Sequence, residues 1–389
     1  MRREALVPRS DLEAHLEELG FPYHTIDGEP YWDETHCYRL DAAQVDALDD
    51  ATAELHALCL NAVQHVVGSG RLAEFAIPAE WHATIARSWQ AQLDGRAEGY
   101  SLFGRMDLSY DGAGPPKLLE YNADTPTACL ETAVVQWHWL QQVRPGADQF
   151  NSLHEKLIEG WSRLRALDPR PLLHFTSAAG SDEDRGNLEY LRDTAIQAGW
   201  ATASLPIDRI GWDGRRFVDL QDRPIERLFK LYPWEWLLAE EHAAPLRDRI
   251  DAGAIALVEP AWKMLLANKA LLVVLWELYP GHPNLLPAFF DADAEAARSL
   301  GERYVRKPLL AREGANVEWV DGARRVAIPG DYGSEGCVRQ ALAPLPVFEG
   351  DHVLVGSWIA DGRPAGIGLR ADRLPVTTDA SRFVPHYFE

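Results

Sequence analysis

The sequence predicts a mixed α/β (α+β) protein. Three observations carry that expectation. Over 170–235, short apolar runs alternate with a helical stretch, the order of a parallel α/β unit. At 101–122 the run SLFGRMDLSYDGAGPPKLLEYN reads as strand, turn, strand, with DGAGPP as the break. From 303 onward the texture turns to a series of short strands. With 47% hydrophobic and 25% charged residues, the 389-residue chain has the balance of a folded globular protein.

The elements follow in order. Residues 10–20 read as a short helix capped by Ser10 and stopped by Gly20. A turn-rich stretch, FPYHTIDGEPYWDETHCY, comes next. Residues 42–67 form a long amphipathic helix, since Val45, Leu48, Leu55, Leu58 and Val63 recur at helical spacing. Prolines are scarce beyond it, and 79–94 reads as another helix. After the hairpin, DTPTACLETAVVQWHWLQQV reads as a helix with Thr125 as cap and Pro126 in its first turn. Residues 151–166 are helical and PLLHFTS at 171–177 is a buried strand. SDEDRGNLEYLRDTAIQAGW is a helix, and ATASLPID, FVDL and RLFKLYPW are strands. The last third opens on EPAWKMLLANKALLVVLWELY. PAFF, a helix at 292–300 and the strand RYVRKP follow. VEWV, RVAI, CVRQAL, HVLVGSWIA and PAGIGLR run to the end.

Charge narrows the partners. Lys plus Arg is 38 and Asp plus Glu is 59, a formal net charge of −21. That argues against coating nucleic acid or docking on anionic membrane. It permits a cationic amine to be drawn in by the protein's field, or it serves solubility alone. Cys37, Cys59, Cys129 and Cys337 form no CxxC, so a reducing compartment is expected. The first residues show no apolar signal region, and ALLVVLW at 270–276 is too short to span a bilayer. A cytoplasmic location is the expectation.

P-loop, HExxH and GxSxG fingerprints are missing, so a nucleotide site here needs another architecture. The hairpin carries the clearest chemistry. Alternate strand residues share a face, so Arg105 and Asp107 point together, as do Glu120 and Asn122. A turn centred on 113–114 sets Asp107 opposite Glu120 and Arg105 opposite Asn122. Facing carboxylates repel unless a cation sits between them. Two carboxylates and an amide oxygen suit Mg²⁺ rather than Zn²⁺, and Arg105 suits a phosphate oxygen. The plain alternative is a solvent-facing strand with an Arg–Glu ion pair. The helix expected near Thr125 would add an N-terminus that favours an anion.

Lys269 lies in LLANKALL, and Lys307 ends YVRKP just before a Gly-bearing loop with Arg312. A lysine at a strand end followed by a mobile loop suits a lid over a triphosphate; solvated lysines are the alternative. Arg370 closes a Gly-interleaved strand and suits either an anion or a turn. The 13 histidines do not cluster at ligand spacing. Trp137/Trp139 and Trp234/Trp236 suit core and groove wall, or a slot for an aliphatic cation, flanked by Lys230 and Glu235.

These residues point to a family. GRMDLSYDG…KLLEYNADTPTACLE, ANKALLVVLWELYPGHPNLLP, YVRKPLLAREGANV and GIGLRADRLPVTTDASRFVPHYF resemble the synthetase domain of glutathionylspermidine synthase, across nearly the whole chain. The stand-alone acid–amine ligases of that family are the nearest in pattern. The resemblance implies an ATP-grasp fold of permuted motif order with a pre-ATP-grasp α/β region. Residues 1–100 would be mainly helical. Residues 101–150 would bring the metal hairpin and its helix to the ATP-grasp core. Residues 151–258 would form the pre-ATP-grasp substrate domain, and 259–389 the nucleotide-binding part.

It also implies ATP and Mg²⁺, two ions, as cofactors. Asp107, Glu120 and Asn122 match metal ligands, and Arg105 and Arg370 match the catalytic arginines. Lys269, Lys307, Arg312 and Gln340 match nucleotide contacts. Thr125, Thr127, Glu131, Lys230 and Glu235 are the expected contacts to a small peptide acid or to the amine. Two departures stand out: the chain has no room for the amidase domain of the bifunctional members, and the segment after Asn122-Ala123 reads Asp124-Thr125-Pro126-Thr127-Ala128 where the family has Asp-Ser-Ala-Ser-Cys. The activity expected is an ATP-dependent carbon–nitrogen ligase. A carboxylate glycoside hydrolase with Asp107 and Glu120 as acid and base, and a non-catalytic ATP-binding protein, are the rival readings.

Overall fold

The computed structural model describes residues 1–26 and 28–389. Asp27, in the turn-rich stretch, lies outside the described residues. Three larger sheets organise the molecule. The expected α/β unit is a four-stranded parallel sheet ordered Ala256–Val258, Arg227–Leu231, Leu172–Ser177 and Ala201–Ser204. The helix Asp182–Gln197 crosses between its last two strands, entered where the Ser181 side chain accepts from Asp184 N. FVDL does not join this sheet. Phe217–Val218 pairs antiparallel with Gly211–Trp212, because the Asp213 carboxylate accepts from Arg215 N and Arg216 N and folds that ribbon back on itself.

The second sheet holds the hairpin. Its order is Arg382–Val384, Arg363–Asp372, Asp351–Ala360, Phe103–Ser109 and Lys117–Asn122, with Val347–Phe348 on the side. The strand at 103–109 is thus joined to one about 250 residues further on. A five-stranded antiparallel sheet, ordered Ala288–Phe290, Cys337–Ala341, Arg303–Pro308, Glu318–Asp321 and Arg324–Ala327, supplies the opposite wall of the site. The first hundred residues contain strands as well as helices. Arg2–Ala5 and His36–Leu40 form a small sheet with His386–Phe388, from the far end of the chain.

The long helix is Ala42–Ser69. Asp41 and Gln44 form a capping box at its start, and Gly70 in the left-handed region ends it. Its buried stripe of Leu48, Leu55, Cys59, Val63 and Val66 packs on the hairpin sheet. Each fully buried Leu or Val there contributes about 1.5–3 kcal/mol. Inside this core, Thr52 Oγ1 and Ser357 Oγ share a hydrogen bond of 2.7 Å, so this polar pair is satisfied. The apolar helices Lys263–Ala267 and Ala270–Leu278 pack against the long helix. Lys269 falls at the break between them, which lets its side chain leave the core. Among the described residues no helix is long and apolar enough to cross a membrane. The first short helix enters at Asp11 rather than Ser10, with no side-chain cap.

Candidate active site

The hairpin register places Arg105 opposite Asn122 and Asp107 opposite Glu120, the pairing expected from the turn. A bulge follows directly after Asp107 and accentuates the local twist. Arg105 grips Asp107 with Nε on Oδ1 at 2.7 Å and a terminal nitrogen on Oδ2 at 3.2 Å. Its other terminal nitrogen donates to Thr127 O at 2.8 Å. Room for this guanidinium comes from Gly356 on the neighbouring strand. A Cβ there would stand 2.8 Å from Arg105 Cδ. Asn122 Nδ2 donates to Asp107 Oδ2 at 3.0 Å and to Glu120 Oε1 at 3.3 Å, bridging the two carboxylates.

Cations from distant segments complete the arrangement. Lys269 Nζ lies 3.2 Å from Glu120 Oε2 and donates to Ala311 O at 2.7 Å. Lys307 Nζ donates to Leu119 O at 2.7 Å and to Gln340 Oε1 at 2.8 Å, while Gln340 Nε2 donates to Leu118 O. Burial would raise the Glu120 carboxyl, but Lys269 and Lys307 outweigh it and hold it at about 2. Burial pushes Lys307 down to about 8, partly opposed by Glu120. Asp107 is pushed up by burial, against the pull of Arg105. Arg370 donates to the carbonyls of Thr378, Asp379 and Ser381, and its buried Nε has no partner.

Arg105, Asp107, Glu120, Asn122, Thr125, Thr127, Lys269, Lys307, Arg312, Gln340 and Arg370 all line one cavity. Val305, Val317, Trp319, Leu345 and Leu354 give it an apolar wall. The loop at 309–317 covers one side and rests on 375–378. Gly314 has φ +74, and a Cβ there would stand 2.7 Å from Thr377 O. Among the described residues no group of three or more His, Cys, Asp and Glu side chains is placed to hold a metal ion. Turning the Asn122 amide over would give two carboxylates and an amide oxygen facing one another across the hairpin. That set fits Mg²⁺, which takes few protein ligands and completes its shell with water and phosphate oxygens.

Residues 3–389 match the family model described as glutathionylspermidine synthase preATP-grasp. The chain belongs to that family. It is 41% identical, over 98% of its length and 97% of the relative's, to a Haemophilus influenzae protein provisionally named an acid–amine ligase. It is 28% identical to the bifunctional glutathionylspermidine synthetase/amidase of Escherichia coli, over 92% of this chain but 60% of that one. A solved glutathione synthetase-like effector from Globodera pallida superposes with a TM-score of 0.53 at 11% identity, covering 91% of this chain and 89% of that one. That likeness concerns the fold alone, and it agrees with an ATP-grasp-type α/β architecture.

Family resemblance did not reveal every local feature. The helix after the hairpin starts at Cys129, not at Thr125. Ala128 adopts φ +71, which breaks any helical path from 125, so no helix N-terminus faces the cavity at Thr125. The next turn is a π-helical segment, Glu131–Val135. Glu131, expected to touch substrate, is fully buried and accepts from Tyr31 OH at 2.9 Å. Lys230 is also fully buried. It donates to Asp124 at 2.5 Å and to Tyr232 O, and lies 4.9 Å from the Trp234 ring centroid. The Trp234 ring therefore already carries the chain's own cation, and Lys230 anchors the 123–128 loop instead of meeting substrate. Glu235, by contrast, lines a second cavity, where burial raises its carboxyl and Arg312 opposes that rise. Thr377, Thr378 and Glu313 also line the first cavity. In the sequence the two threonines follow Arg370 closely, and Glu313 follows Arg312.

Proposed function

We propose that the protein is an ATP-dependent acid–amine ligase, joining a small peptide-sized acid to a polyamine or other amino compound through an acyl-phosphate. One observation carries this reading. Two facing carboxylates with their amide meet Lys269, Lys307, Arg312 and Arg370 in a single cavity, though these residues lie far apart in the chain. The family's relatives, among them a trypanothione synthetase of Crithidia fasciculata, support it.

Asp107, Glu120 and Asn122 would hold Mg²⁺, which supplies charge neutralisation on the phosphate oxygens. Lys307 and Gln340 hold the nucleotide, and Lys269 reaches its phosphates. An oxygen of the acid bonds to the γ-phosphorus as the bond to the β–γ bridging oxygen breaks, and ADP leaves. Arg105 and Arg370 stabilise the charge that gathers on the transferred group. The amine nitrogen then attacks the acyl carbon, phosphate departs, and the nitrogen loses one proton to give the amide. The 309–317 loop excludes water, which would hydrolyse the acyl-phosphate. Near Arg312, Glu313 has Asp379 and Glu183 in its surroundings, and Asp184 is pushed up to about 6 by burial and Glu183. This acidic rim suits a cationic amine. A glycosidase reading leaves Lys269, Lys307 and Arg370, which line the same cavity, without a role.

The test is ADP release with MgATP, a panel of short peptides and a panel of amines. Glu120→Gln should lower turnover by about 100-fold or more with an unchanged far-UV spectrum. A wild-type protein that binds no nucleotide would sink the reading.

A further inference from the structure

We infer that the second cavity is the seat of the acid, and that it selects a carboxylic acid with an apolar body. This rests on the ligase reading above. The cavity, of about 250 Å³, adjoins the first one: Asn122, Thr125, Lys269 and Arg312 line both. Any phosphoryl acceptor must reach the phosphates from a space that touches Lys269 and Asn122, and this cavity does so from the side away from Gln340 and Lys307.

Its walls define what it holds. Phe75, Ile77, Pro78, Leu238, Met264 and Leu310 form most of the lining. Several polar neighbours are already committed. Asp124 accepts from Lys230 Nζ and Trp234 N, and Asn268 bonds Phe75 O and Ala270 N. Thr125 and Arg312 line the part shared with the first cavity. Thr125 is 6% exposed and its buried Oγ1 has no hydrogen-bond partner. A buried hydroxyl without a partner is costly and uncommon, so it marks a place for a ligand group. The acid's carboxylate is thus received by Arg312, Lys269 and Thr125 Oγ1, with its body directed away into the apolar chamber. Glu235 stands beside that chamber and disfavours a second carboxylate, through like-charge repulsion.

The test measures affinity by calorimetry, using the whole protein with MgADP present. The probes are straight-chain monocarboxylates from butanoate to octanoate and dicarboxylates of matched length. Affinity should rise about fourfold per added methylene until the chamber is full, and the dicarboxylates should bind more weakly. Leu238→Asp should abolish the gain while MgADP affinity stays unchanged. Ala239→Trp, at an exposed position on the rim, should do the same by filling the mouth, and guards against misfolding of the first variant. Normal MgADP binding with affinity independent of chain length would overturn the assignment, as would a gain that survives both variants. Loss of MgADP binding in the unaltered protein would instead overturn the ligase reading beneath it.

Discussion

Glu131 shows how much a single side chain can conceal from sequence. Burial, then Glu183, pushes its carboxyl up to about 8, although Tyr31 and Arg370 pull the other way. Unfolded, it titrates near its ordinary value of about 4.3. Between those values the native state binds more protons than the unfolded one, so this group's contribution falls as pH rises. Glu131→Gln keeps the acceptor for Tyr31 and removes the ionisation. Its melting temperature should exceed that of the unaltered protein by more at pH 8 than at pH 5. Equal shifts in thermal melts at the two pH values would show that the charge is not felt. Other single residues were legible because chemistry demands them in sets: the Asp107–Glu120–Asn122 trio announces itself through mutual repulsion and alternate spacing. Lys230 was not, because its partner Asp124 is 106 positions away and only the fold reveals that the pair is closed.

Among the elements, the hairpin was the easiest to read. Its turn residues fix the centre, and the two-residue period fixes which side chains share a face. The bulge after Asp107 left no local mark. The helix that follows misled in its start, since Thr-Pro usually opens a helix and the positive φ of Ala128 overrides it. The loop at 309–317 was legible as glycine-bearing, but not its seat on 375–378. Gly314→Val would force a branched side chain into the left-handed region and against Thr377 O. That variant should still release ADP but form less amide, because the loop would seal poorly over the acyl-phosphate. The ratio of ADP to amide, followed by chromatography, should rise several-fold; a ratio unchanged from the unaltered enzyme would remove the loop from water exclusion.

For the whole molecule, the sequence revealed class and charge but not the walls of the second cavity. Those come from 75–78, 238–239, 264–268 and 310–312, which no periodicity links. The net charge of −21 now surrounds a pocket rich in Lys and Arg. At long range such a field attracts a cationic amine and repels a nucleotide. Raising salt from about 0.01 to 0.3 M shortens the reach of that field. The kcat/KM for the amine should therefore fall with salt, while that for MgATP should hold or rise. An amine term indifferent to salt would return the acidity to solubility alone.

The strand pairing of the hairpin also sets a timetable. Asp107 reaches its place beside Gly356 only once a strand made roughly 250 residues later has been synthesised. Lys269, Lys307 and Arg370 are likewise added one after another behind the oxygen ligands. His386–Phe388, which pairs with Tyr38–Leu40, is made later still. A ribosome that stalls before the final strands leaves Asp107 without the strand it pairs with or the cations that face it. Unfinished copies of this protein therefore lack the assembled cavity.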